Sequence, residues 1–501
     1  MLLALAREIC ERSKRHDHLL TLNKITPAVI SLGLLLFVAA CSVGPDYRAP
    51  EMAMPPAWLE GQGGGVDSRP EELARWWSTF DDPLLNSLVE RAVEANLDLR
   101  VAAARIRGAR AALAGVEAAA WPTVDVAGSY SRNRASENAV GLSSQGAVGA
   151  PRPGADLEQN FYQTGFDAAW EIDLFGGTRR RVEAATANLE ALIEERRDVL
   201  VSLVGELARS YIDLRALQRR LALAEENLRV QQETARLNKI RFDAGLASEL
   251  DVAQAEGQAH LTAAQIPALE SALKQIRYSL ELLLGGRPGL LRDELAAPAP
   301  IPALPPTAHV GLPVELLRRR PDIRRAERQL AAATAQIGVA TASLYPKFSL
   351  TGTFGLQSIS ASDWVAGGSR FWSIGPTLAW PVFDAGKIRA EIEIRNAQQE
   401  QALRSYEKSV LTGLAEVESA LVSYRNEQTR YRSLLGAVAA NRRAVEIANE
   451  QYRQGLIGFL AVLDGERTLF AGEDDLVQSE ANMASNLVAL YKALGGGWHT
   501  R

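Results

Sequence analysis

The sequence predicts a mostly helical α+β fold in which one architectural unit is used twice, and three observations carry that reading. First, residues recur at a constant interval. Trp380 lies 210 positions after Trp170, and the same interval joins Gly245 to Gly455, Leu250 to Leu460, Glu256 to Glu466 and Leu284-Gly285-Gly286 to Leu494-Gly495-Gly496. Farther upstream the interval is 224, linking Asp98 to Asp322 and Trp121-Pro122 to Tyr345-Pro346. A long repeat at fixed spacing is one structural unit written twice. Second, inside each repeat the apolar period changes from helical to strictly alternating and back. Third, a helical pattern runs from about Arg179 to Phe242 without a proline.

Composition sets the bounds. The 501 residues are 23% charged and 47% apolar, ordinary for a folded protein. The formal net charge of −5 gives no global sign of nucleic-acid binding. The two cysteines, Cys10 and Cys41, both fall in or beside the N-terminal segment, so the body of the chain holds no disulfide framework and no thiol metal site. The stretch Ile25 to Ala40 is too short and wrongly flanked for a membrane helix and reads as an export signal, assigned to residues 1–40. Residues 1–23 form an unusually long charged lead-in.

Each element follows in order. Residues 41–82 read as an N-terminal tether, rich in Gly and Pro, ending in an aromatic knot of Trp76, Trp77 and Phe80. The first repeat spans 83–286. Its opening pattern, from about Pro83 to Ala120, is helical. Two strands are expected at about 121–133 and 162–174, because Val124, Val126 and Tyr130, then Tyr162, Phe166, Ala168, Trp170, Ile172 and Leu174, each share one parity while polar residues take the other. The Ser/Gly/Ala-rich stretch between them, Arg134 to Asn160, reads as a loop. It holds the 14 extra residues by which the two intervals differ.

The long helix after the second strand breaks at a tip, 243–248. Ser248 then suits an N-cap, with Asp251 in the capping-box position, and a further helix, with Pro267 inside it, runs to about Leu284. Residues 287–313 form a Pro-rich connector. The second repeat, 314–498, begins a helix at Arg320-Pro321-Asp322, places strands at about 346–357 and 371–383, and turns at a second tip, 453–458, before a last helix ending at Leu494.

The strands are long enough to cross a bilayer, for which about 9–11 tilted residues suffice. Four strands cannot close a barrel, and an open edge in lipid leaves backbone groups unpaired, so several copies must pool strands in multiples of four. The helices give an independent length: the long one makes a rod of about 95 Å at about 1.5 Å per residue, matched by two shorter helices end to end. Each unit is then two rods and one hairpin, a tube of helices continuing a membrane barrel.

Several motifs in this order resemble the TolC-type outer-membrane efflux proteins, in the lipidated OprM/NodT-like branch. They are Cys41-Ser42-Val43-Gly44-Pro45-Asp46-Tyr47, Arg319-Arg320-Pro321-Asp322-Ile323 with Ala326-Glu327, the turn motifs Phe242 to Ser248 and Tyr452 to Gly458, and Tyr491 to Trp498. The resemblance covers essentially the whole chain after the signal. It implies a homotrimer with a twelve-stranded outer-membrane β-barrel continuous with a twelve-helix periplasmic α-barrel. It implies a passive exit duct for drugs or other small molecules, partnered by a periplasmic membrane-fusion adaptor and an inner-membrane RND-type transporter. Val38-Ala39-Ala40-Cys41 resembles a lipobox, which implies diacylglycerol and an N-acyl chain on Cys41, enough chains for stable anchoring. Ser42 after it is similar to lipoproteins sorted to the outer membrane.

The same resemblance assigns site residues. Leu460 and Asp464 match gate positions at the periplasmic mouth, where a threefold axis turns each side chain into a ring. Ala461 and Ile457 stand where some members carry additional charge. The tips Gly245, Leu246 and Ser248, with Gly455 and Leu456, match the adaptor-docking surface, although glycine alone explains a helix-breaking turn. Arg179-Arg180-Arg181 reads as a solvated or headgroup-facing cluster. No phosphate loop, metal spacing or catalytic constellation is found, so neither an enzyme nor a noncovalent cofactor is expected. Two other classes share the architecture: a duct for type I protein secretion and a non-conducting structural protein of the envelope.

Overall fold

The computed structural model describes residues 42–61, 66–67, 73–134, 136, 158–305 and 307–498. The expected signal segment, Cys41 and most of the loop between the first two strands lie outside the described residues. Two compact units emerge, and each draws on both repeats. One takes the chain up to Asp46, Gly115–Glu183 and Thr334–Arg395; the other takes Tyr47–Ala114, Ala184–Ala333 and the chain from Asn396 onward.

Helices α1 (Pro83–Ala95), α2 (Leu97–Ala118), α3 (Gly177–Asp243), α4 (Glu249–Leu283), α5 (Pro321–Ala342), α6 (Lys387–Arg453) and α7 (Phe459–Ala493) carry the repeat in their lengths. The long helices α3 and α6 have 67 residues each, α4 and α7 have 35 each, and α2 and α5 have 22 each. The strands are β1 (Val66–Asp67), β2 (Thr123–Arg134), β3 (Glu158–Ile172), β4 (Ala308–His309), β5 (Lys347–Ser358) and β6 (Arg370–Ala379).

In the first unit β2, β3, β5 and β6 form an antiparallel sheet in that order, so among the described residues β2 and β6 are its open edges. The register aligns one apolar row across all four strands: Val126 opposite Phe166, Phe166 opposite Phe354, Phe354 opposite Trp372. All four side chains are more than half exposed, from 53% to 73%. The neighbouring row, one residue along, is polar: Asp125, Asp167, Thr353 and Ser373. A pleat with period two puts these rows on opposite faces. The sheet therefore presents greasy side chains outward with no protein over them.

Aromatic residues mark both ends of this sheet. At one end the rings of Tyr130 and Tyr162 lie 4.9 Å apart. At the other, Phe175 stacks on Tyr345 at 4.7 Å. The repeat is legible here in hydrogen bonds: Trp170 donates Nε1 to the Ala120 carbonyl at 2.9 Å, and Trp380 donates Nε1 to the Leu344 carbonyl at 3.1 Å.

Strand ends differ from the sequence reading. β3 begins at Glu158 inside the expected loop, where Glu158 pairs with Arg132 at 2.6 Å across the hairpin. β6 stops at Ala379, well before residue 383, since Pro381 just beyond it has no N–H for the ladder.

The second unit holds the main apolar core. Trp76 (2% exposed) stacks on Tyr491 at 5.4 Å, and Trp77 and Phe80 pack beside it, so the aromatic knot is core. The tether is more than a wrapping segment. Trp58 is buried and donates Nε1 to the Gly311 carbonyl at 3.0 Å, and β1 pairs in parallel with β4 of the Pro-rich connector. Leu291, Leu295 and Ile301 of that connector are also core residues.

The helix expected from Pro83 to Ala120 is two helices, because Asn96 interrupts it. Its Oδ1 accepts from Asp98 N and Leu99 N, while its Nδ2 donates to the Leu283 carbonyl, so the side chain caps α2 and ties the break to α4. The single turn Leu316–Arg319 precedes α5. α4 continues through Pro267.

Asp82 links these parts. Its Oδ1 accepts from Leu84 N at 2.9 Å and Leu85 N at 3.0 Å, capping α1, while its Oδ2 accepts from the Tyr211 hydroxyl of α3 at 2.8 Å. Arg215 donates to the same hydroxyl and to the Ala297 carbonyl. Asp82→Ala should therefore destabilise the protein by about 2 kcal/mol, about one for the cap and about one for the lost Tyr211 bond. Tyr211→Phe should cost about half of that, measured as shifts in denaturant midpoint; equal costs would show that the cap contributes nothing.

Candidate functional site

The two helical tips are the same local structure written twice. At the end of α3, Gly245 N–H donates to the Phe242 carbonyl at 2.8 Å and Leu246 N–H to the Arg241 carbonyl at 2.7 Å. At the end of α6, Gly455 donates to Tyr452 at 3.0 Å and Leu456 to Gln451 at 2.9 Å. These are the paired bonds of a Schellman termination, which needs a left-handed residue after the helix. The glycines supply it at φ +71° and +73°.

Such turns usually fold their next apolar residue back onto the helix. Here Leu246 and Leu456 do not: they are 70% and 68% exposed. At the start of the following helices, the matched pair Leu250 and Leu460 is also exposed, at 65% and 61%. Leu250 is an exposed residue beside the tip that the sequence reading left out, although its match to Leu460 is visible in the repeat.

The helices leaving the tips start differently. Ser248 caps α4 through a full capping box: its hydroxyl accepts from Asp251 N, and Asp251 Oδ2 accepts from Ser248 N at 3.0 Å. The equivalent position before α7 is Gly458, which has no side chain to offer, so the start of α7 is held less firmly.

What holds α7 in place is packing. Phe459, Val462 and Leu463 are buried together with Ala255 of α4. Tyr452 packs against Phe459, donates its hydroxyl to Asn238 Oδ1 at 2.8 Å and lies under the Arg241 guanidinium, 4.6 Å from the ring centre. The first repeat has Phe242 where the second has Tyr452, so this tie exists once per chain. With one face of α7 committed to these contacts, Leu460 and Asp464, four residues apart, fall together on the opposite face, and both are exposed. The structure thus brings the two residues onto one uncovered face. Arg467, one turn farther on, donates Nε to Gln258 of α4 at 2.6 Å.

The family pattern described as "Outer membrane efflux protein" matches residues 88–286 and 312–496, and the chain belongs to this family. It is 32% identical over 465 residues to nodulation protein T of Rhizobium leguminosarum bv. trifolii, covering 93% of this chain and 96% of that one. It is 34% identical over 471 residues to the solvent efflux pump outer membrane protein SrpC of Pseudomonas putida, covering 93% and 97%. Among solved structures, the outer-membrane channel OprN superposes with a TM-score of 0.84 at 39% identity, over 91% of this chain and all of that one. The open state of the MtrE outer membrane channel of Neisseria gonorrhoeae superposes with a TM-score of 0.76 at 27% identity, over 91% and 99%. The protein is an outer-membrane efflux channel of TolC-like architecture, and its relatives are channels rather than enzymes.

One residue beside the exposed Leu460 and Asp464 face carries a pH signature. Glu466 is 3% exposed, and its burial pushes the carboxyl pKa up. A raised native pKa means that the folded chain keeps a proton the unfolded chain has released. The associated stability is complete below the ordinary Glu range and is lost as pH rises through the native pKa. Glu466→Gln should therefore raise the melting temperature near neutral pH, leave it unchanged at about pH 4, close to the unfolded Glu pKa, and flatten the profile between them. Calorimetry across that range checks the sign.

Proposed function

We propose that the protein is the passive exit duct of a tripartite RND-type efflux pump, working as a homotrimer that pools three four-stranded sheets into a twelve-stranded barrel. The observation that carries this reading is the sheet itself. Its outward apolar row and two unpaired edges make a stable membrane structure only when other copies complete it. Relatives named as pump components, including those named for solvent, toluene and antibiotic efflux, support small drug-like or solvent-like cargo. Energy comes from an inner-membrane transporter, and a periplasmic adaptor bridges the gap. Cys41 carries diacylglycerol and an N-acyl chain as an additional anchor in the outer membrane.

The tips dock the adaptor. Exposed leucines, Leu246 with its match Leu456 and Leu250 beside the first tip, offer an apolar surface of the kind that helical partners cover. Leu460 and Asp464 form the gate. On a threefold axis the leucines make an apolar constriction and the aspartates a negative ring that attracts cations, more strongly at low salt. The glycine start of α7 supports movement there, since the helix can shift without breaking a side-chain cap.

Planar-bilayer recording tests the gate. Asp464→Ala should lower cation selectivity several-fold at low salt, and Leu460→Ala should raise the conductance of the resting channel. If neither selectivity nor conductance changes, the constriction lies elsewhere on the chain.

A further inference from the structure

The cluster Arg179-Arg180-Arg181 holds a residue that is anything but solvated. Arg180 is 4% exposed. Its guanidinium donates from Nε to the Val43 carbonyl at 3.1 Å, and from Nη2 to the Gly44 carbonyl at 3.3 Å and to Asp46 Oδ1 at 2.7 Å. From Nη1 it reaches Glu183 Oε2 at 2.8 Å. Three of these four bonds go to one short segment, residues 43–46. The segment has a further tie at Val43, whose N–H donates to the Phe175 carbonyl at 3.1 Å.

Glycines make room for the segment. A Cβ on Gly44 would lie 2.5 Å from the Gly338 Cα, one on Gly338 would lie 2.7 Å from the Arg180 side chain, and one on Gly176 would lie 2.7 Å from the Ser42 hydroxyl. Contacts that short require backbone to shift at Gly44 and Gly176, and the Arg180 side chain to move at Gly338. The slot accepts this segment only because three side chains are missing.

The repeat supplies an internal control. By the intervals of 210 and 224, Arg180 corresponds to Ala390, Gly338 to Ala114 and Gly176 to Gly386. A Cβ on Gly386 would meet nothing within 4 Å. The second strand-to-helix junction thus has neither the arginine nor the tight slot. Arg180 and Gly338 depart from the repeat at the junction where residues 42–46 are seated.

We propose that Arg180 is the positioning residue for the membrane anchor: it clamps residues 42–46 at the strand-to-helix junction, so that a lipid on Cys41 enters the bilayer at the level where the barrel strands end. This rests on the reading of Cys41 as acylated. In sequence, Cys41 comes two residues before Val43, the first residue that is held, so fixing Val43 limits how far a lipid on Cys41 can range. Phe175, whose carbonyl holds Val43, is half of the Phe175–Tyr345 stack at the foot of the sheet. Aromatic rings at that level are the usual marker of a barrel's membrane interface. Arginine suits the task because one rigid fork satisfies two carbonyls and two carboxylates at once; a lysine there keeps charge but cannot reach all four.

The test uses the full chain with its own leader, purified and reconstituted in phosphatidylethanolamine–phosphatidylglycerol vesicles. Pro45→Cys supplies the only free thiol once Cys41 is acylated, and it takes a spin label. The clamp predicts a strongly immobilised spectrum and one sharp depth, read from relaxation by oxygen against a water-soluble nickel chelate. Arg180→Gln should increase the mobile fraction several-fold and broaden the depth, with Arg180→Lys in between. Gly44→Ala should reproduce the effect of Arg180→Gln without touching the arginine, and it decides the matter if Arg180→Gln fails to assemble. A label that stays immobile in both Arg180→Gln and Gly44→Ala overturns the clamp. Mass spectrometry of the N-terminal peptide separates the two readings: an unmodified Cys41 under a still-immobile label overturns the anchoring role and leaves the clamp as a purely structural contact.

Discussion

A peptide group in hydrocarbon has no water to bond, and the cost of leaving one unpaired is several kcal/mol. That constraint governs this chain from the sheet outward. Each copy provides four paired strands with an apolar outer row and a polar inner row, but the outer ladders of β2 and β6 have no partner among the described residues. An isolated copy would expose two rows of N–H and C=O groups to lipid. The requirement that other copies close the ring then dictates symmetry, and symmetry turns every single residue on the duct wall into a ring of identical residues. The gate reading for Leu460 and Asp464 depends on that multiplication. One exposed leucine and one exposed aspartate on a lone chain would constrict nothing.

The two-fold repeat solves a second problem cheaply. Paired long and short helices and the matching glycine turns are specified by the same local rules used twice, which is why α3 and α6 agree in length and the tips agree bond for bond. The proposed gate lies where the copies differ. Tyr452 ties the second tip to Asn238 while its counterpart Phe242 makes no such bond, and Gly458 leaves α7 without the cap that Ser248 gives α4. The helix leaving the first tip is capped by its own side chain, whereas α7 is held by packing against α4 and the second tip by the Tyr452–Asn238 bond. Arg180 against Ala390 is the same kind of departure at the opposite end of the long helices.

These departures also explain what was legible in the sequence. Helices, tips, strand parity and the capping box at Ser248 follow from near neighbours in the chain, so periodicity and turn residues reveal them. Leu460 and Asp464 were legible as a pair through their motif, and their shared uncovered face follows from the burial of Phe459, Val462 and Leu463. The features that escaped depend on distant partners. Asn96 breaks a helix because its amide reaches Leu283, Trp58 is core because Gly311 accepts its N–H, and Arg180 is buried because residues 43–46 come back to it. No local pattern separates such an arginine from the solvated ones on either side. Leu250 escaped for another reason: its exposure matters only once the tips are seen as matched surfaces.

The central claim is that β2 of one copy pairs with β6 of another. Cysteines placed along β2 and along β6, one in each strand, test it in intact outer membranes under mild oxidation. The account predicts that correctly aligned pairs yield covalent dimers and trimers, with efficiency alternating every second residue as side chains switch between the lumen and lipid faces. Monomers alone at every pairing, or linkage confined within single chains, would contradict it.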